Sequence, residues 1–85
     1  MKNKEFVADL LSDILANMED WSVVKDFKTV FIESAEENEP GIDLAFLSTV
    51  YDNYMSLSVV ERHQPEFNHK NFVLSQINKF ENKQE

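Results

Sequence analysis

Few residues in this chain could do chemistry. Glu66 and His69 stand at i,i+3 spacing, the Glu-x-x-His pattern used by carboxylate-bridged metal bundles. Such a centre needs two of these pairs and two further Glu on facing helices. The chain offers one pair, and Glu66 directly follows Pro65, outside the regular part of any helix. No metal and no other cofactor is expected. His63 and His69 read as surface or capping groups. Ser, His and Asp all occur, but no nucleophile elbow or activated pair does. The single Gly, Gly41, rules out a Gly-rich phosphate loop. No catalytic residue is assigned, and the chain is not expected to be an enzyme.

The chemistry that stands out is charge. The 85 residues carry 8 basic and 16 acidic side chains, a net charge of −8. Residues 1–28 hold 4 basic and 6 acidic groups, residues 62–85 hold 4 basic and 3 acidic, and residues 29–61 hold 7 acidic groups and no basic one. Phosphate backbones favour basic surfaces, so direct nucleic-acid binding is not expected. Anionic membrane surfaces are disfavoured for the same reason. A charged partner would be basic.

Within the middle third, Glu33 and Glu37 repel each other at i,i+4, and Glu36 and Glu37 lie where a helix C-terminus favours cations. Glu5, Asp9 and Asp13 form a second acidic column at the same spacing. Each like-charge pair costs only about 0.2–0.5 kcal/mol. Two columns without interleaved Lys nevertheless suggest a surface kept acidic for a reason. The alternative is a solvated face that only keeps a small protein soluble.

The elements that position these groups are helices. One Gly and two Pro leave few turns, and no stretch alternates with period two. The expected fold is all-α: a small antiparallel four-helix bundle-like domain spanning residues 1–85, with a short fifth helix near 59–64. The helices are placed at about 3–18, 22–37, 42–57 and 69–82. Phe6, Val7, Leu10, Leu11, Ile14, Leu15 and Met18 mark the first stripe, with Asn3 as candidate N-cap. Val23, Val24, Phe27, Val30 and Phe31 mark the second. On one straight helix the two stripes would point in nearly opposite directions, so the chain must turn, across Glu19 to Ser22. Asp20 and Ser22 are candidate caps there, and Trp21 sits at the corner, packed on the core.

The segment Asn38-Glu39-Pro40-Gly41 ends the second helix. The third helix shows an apolar sector about half a circumference wide, from Leu44 to Leu57, and Asp43 within that sector reads as its cap. Ser58 and Glu61 have the form of a capping box, and Asn68 caps the last helix, whose stripe is Phe72, Val73, Gln76, Ile77 and Phe80. The chain has no Cys, no uninterrupted apolar leader and no run approaching the roughly 20 residues of a membrane span. A cytoplasmic protein is expected.

These features point first to a small acidic, non-catalytic binding protein that docks on a basic protein partner, among which nucleic-acid-binding proteins are natural candidates. Inhibitors, immunity-type and regulatory proteins work in this way, as do proteins that imitate the charge of DNA. The expected contact residues are Glu33, Glu36, Glu37, Glu39 and Asp43, with Asp52 as an extension. Tyr51 or Tyr54 would add an aromatic anchor if exposed, although both also fit the core side of the third helix. The alternative is a homo-oligomeric structural or assembly protein, a homodimer for instance, that uses the wide apolar face of the third helix. A weaker third reading is a regulator switched by His protonation.

Overall fold

The computed structural model of the chain describes residues 3–18, 21 and 26–83. Among them every regular element is a helix: α1 (Lys4–Met18), α2 (Phe27–Asn38), α3 (Leu44–Met55), the short α4 (Val59–Arg62) and α5 (His69–Lys83). Helix α1 packs against α2 and, most extensively, α5, while α3 packs against α2 and α5. The four longer helices thus close a ring around one core, the expected bundle-like arrangement.

The helix boundaries follow from local chemistry. The Asn3 carbonyl accepts the Val7 N–H at 2.9 Å to start α1. Helix α2 begins at Phe27 behind Asp26, whose carboxylate accepts the Thr29 N–H at 3.0 Å and the Thr29 hydroxyl at 2.8 Å. The expected start at Ser22, the candidate caps Asp20 and Ser22, and the stripe residues Val23 and Val24 lie outside the described residues. Trp21 does meet the core, with its ring edge-to-face with Phe27 at 5.9 Å. Asp43 caps α3, accepting the Phe46 N–H at 3.0 Å. Helix α3 stops at Met55, short of the expected Leu57, and the Leu57 N–H turns back to the Tyr54 carbonyl. Ser58 then caps α4 through the Glu61 N–H, and Asn68 Oδ1 accepts the Asn71 N–H at the start of α5.

The core is built by Val7, Ala8, Leu11, Ile14, Leu15 and Met18 of α1, Phe31 and Ala35 of α2, Phe46, Leu47, Val50 and Tyr54 of α3, and Val73 and Ile77 of α5. Each large apolar side chain removed from water stabilises the fold by about 1.5–3 kcal/mol. Tyr54 is the node that attaches α4 and its flanking loop. It is fully buried, its hydroxyl lies 3.1 Å from His69 Nε2, its ring meets Phe67 and Phe72 edge-on, and the Arg62 guanidinium sits 5.3 Å above the ring centre. The buried hydroxyl thereby has a polar partner and the buried cation an aromatic face.

The buried stripes are narrower than the apolar ones. Phe6 and Leu10 sit on the flank of α1, and Phe6 stays 41% exposed while the small Ala8 is fully buried. On α3, Leu44 and Met55 remain outside. A helix needs only a little over 100° of apolar surface to meet its neighbours, so residues at the margins of a wider sector face solvent.

Candidate acidic protein interface

Helix α2 has two opposed faces. Phe31 and Ala35 are fully buried, and at about 100° per residue Glu33, Glu36 and Glu37 fall on the opposite side. Glu33 and Glu37 are exposed and Glu36 is half-buried. The helix has no acidic residue in its first turn and no basic residue in its last, so its glutamates crowd the end at which the dipole is already negative. Glu39 continues the series as the C-cap, with its N–H bound to the Ala35 carbonyl at 2.9 Å.

The chain then turns through Pro40 and Gly41. Gly41 takes φ +88°, which favours glycine for its conformation and not for space, since a Cβ there would meet nothing within 4 Å. The Ile42 N–H closes the turn on the Glu39 carbonyl. Asp43 follows, its carboxylate directed to the first turn of α3. Glu33, Glu36, Glu37, Glu39 and Asp43 therefore run without interruption along one helix and the turn that leaves it.

Asp52 is placed elsewhere. It lies more than two turns further along α3 and pairs with Lys28, whose Nζ is 3.0 and 3.3 Å from its two oxygens. Lys28 stands in the first turn of α2, at the other end from Glu36 to Glu39. Asp52 thus has a matched charge and does not extend the acidic series. Beside this pair, Tyr51 packs on Phe31 at a ring separation of 5.9 Å. Burial first, then the charges of Asp26 and Asp52, hold its hydroxyl above the usual tyrosine pKa. Tyr54, wholly in the core, offers no surface anchor.

The second acidic column differs in the same way. Lys70 of α5 reaches across to α1 and lies 2.8 Å from Glu5 and 3.1 Å from Asp9. These two contacts, Glu5 foremost, raise the Lys70 pKa above its ordinary value. Asp13 accepts a bond from the Asn17 amide at 3.3 Å. At the other end of α5, Glu81 pairs with Lys4 at 2.7 Å, which lowers the Glu81 pKa. Among the described residues no cation pairs with Glu33, Glu36, Glu37 or Glu39. Lys70 and Lys28 are the residues that sequence spacing passes over, because each supplies its charge to a different helix from its own.

Glu66 lies exposed in the turn before α5, whereas the His69 ring is engaged by Tyr54 and Phe67. The two do not form a joint site, and among the described residues no group of three or more acidic or His side chains is placed to hold a metal. His63 Nδ1 lies 2.7 Å from the Val59 carbonyl at the end of α4. Among the described residues no helix is long and apolar enough to cross a membrane. No family model, curated protein or solved structure matches the chain.

Proposed function

We propose that this protein is a small non-catalytic binding protein, of inhibitor, immunity or regulatory type, that docks on a basic protein through the outer face of α2 and the turn after it. The observation that carries this reading is the contrast in charge pairing. Glu33, Glu36, Glu37 and Glu39 have no cation among the described residues, although the same chain matches Glu5, Asp9, Asp52 and Glu81. An unmatched series of carboxylates on a rigid helix raises the local concentration of a cationic partner and speeds encounter at low salt. Docking would occlude the basic surface it covers. A nucleic-acid-binding protein whose groove accepts the acidic helix in place of phosphates is one such partner. The test is capture from the native host at low and high salt by the wild type and by a Glu33→Gln/Glu36→Gln/Glu37→Gln variant. A partner retained at low salt, released at high salt and lost with the variant supports the reading. Capture indifferent to both salt and substitution rejects it.

A second reading rests on a separate observation. Val59 and Val60 are 60% and 72% exposed on α4, and Met55, four residues before Val59, is exposed as well; exposed apolar side chains of this kind are what self-association would cover. In this reading the acidic groups give solubility alone. Sedimentation separates the two: a stable dimer that dissociates on Val60→Glu favours assembly, and a monomer at all accessible concentrations favours the acidic interface.

A further inference from the structure

Apart from the acidic face, α3 and α5 leave a partly enclosed cleft of about 140 Å³ between them. Its wall is aromatic: Phe46 and Phe80 lie with ring centres 5.0 Å apart. Its polar end is made by Thr49, Asn53, Gln76 and Lys79. Gln76 is nine-tenths buried, and its carbonyl oxygen is taken by the Asn53 amide at 2.7 Å. Its own N–H groups meet no acceptor among the described residues. Lys79 is exposed at the rim, and in a chain with twice as many acids as bases it pairs with no carboxylate among the described residues.

An apolar pocket with a few convergent polar groups is the usual form of a small-molecule site. Here the Gln76 N–H groups and the Lys79 ammonium are donors without a partner among the described residues, and the latter carries a positive charge; the Asn53 Oδ1 is the one amide acceptor beside them. We propose that this cleft binds a small monocarboxylate with an apolar body about the size of benzoate. The ring would lie against Phe46 and Phe80. The carboxylate would take the Lys79 ammonium and an N–H of Gln76, with the Thr49 hydroxyl as a further donor. A cavity of about 150 Å³ suffices for a benzene ring, so the volume fits one ring and little more. The negative field of the whole protein opposes an anion, but at about 0.15 M salt it is screened beyond about 8 Å, whereas Lys79 acts at contact.

The test is a titration of the ¹⁵N-labelled protein at physiological salt with three probes of one size: benzoate, benzyl alcohol and benzylamine. Benzoate is expected to move the Gln76 side-chain amide and the Thr49 and Asn53 backbone signals, saturating on the order of millimolar. Benzyl alcohol is expected to bind at least about tenfold more weakly, because it forfeits the charge-assisted bonds. Lys79→Gln, at an exposed position that leaves the core intact, is expected to weaken benzoate about tenfold, and Lys79→Arg to restore it. Lack of saturable shifts with benzoate, equal or tighter binding of benzyl alcohol or benzylamine, or indifference to Lys79→Gln would overturn the proposal. The Glu33→Gln/Glu36→Gln/Glu37→Gln variant is expected to bind benzoate like the wild type, so this site and the acidic interface fail or stand separately.

Discussion

Two helices of this protein carry carboxylates at i,i+4 spacing, and the surrounding structure treats them differently. On α1, Glu5 and Asp9 are clamped by Lys70 of α5, so the acidic column is part of the scaffold that joins the first helix to the last. On α2, Glu33 and Glu37 face solvent with no cation among the described residues, and the charges accumulate at the helix end that tolerates them least. Identical spacing thus meets two surroundings, one with a cation from a neighbouring helix and one without.

The largest effects come from breaking the frame that holds the α2 face outward. Phe31→Ala removes the fully buried ring beneath it and is expected to destabilise the fold by about 3–5 kcal/mol in chemical denaturation. A loss under about 1 kcal/mol would mean that α2 is not anchored as described. Asp43→Ala removes the cap that starts α3 at the end of the acidic series, with an expected cost of about 0.5–2 kcal/mol. Asn at the same position keeps the cap and should restore most of that stability.

Acids at the two ends of α2 are expected to act in opposite directions. At its start, the backbone and side-chain bonds from Thr29 hold the Asp26 carboxyl below its ordinary pKa. A depressed folded-state pKa stabilises above the unfolded value near 4, and the contribution fades as pH falls through the lower folded value. Asp26→Asn, which caps without charge, should therefore narrow its gap to the wild type as pH drops from about 5 to 3, read by urea melts across that range. At the other end, Glu37→Gln relieves repulsion with Glu33 and is expected to stabilise by about 0.2–0.5 kcal/mol at low salt. The same change is expected to weaken partner capture. Lys70→Gln should give the smallest stability change, a salt-sensitive loss. Its sharper consequence is to leave the α1 column as unmatched as the α2 face, so a cationic peptide should then bind both.

The helical class, the Asp43, Ser58 and Asn68 caps and the short α4 were all legible in the sequence, because each depends on residues a few positions apart. The same holds for the placing of Trp21 and Tyr54 against the core. Spacing within a helix could not show that Lys70 would cover Glu5 and Asp9, or that Lys28 would cover Asp52, because both bonds cross between helices. Apolar count likewise overstated the buried faces: Phe6, Leu44 and Met55 match their stripes but lie beyond the arc that neighbours cover. Gln76, read as part of the last stripe, is buried as that reading implies. The cleft it lines exists only where α3 and α5 meet.

The most direct test is a titration of the ¹⁵N-labelled protein with a short Arg-rich peptide at low salt, read residue by residue. Saturating shifts concentrated on Glu33 to Asp43, with α1 little changed and with loss of the response at high salt, are expected if the unmatched carboxylates form the interface. Shifts on Glu5 to Asp13 as large as those on α2, or a response spread evenly over all sixteen acidic residues, would contradict it.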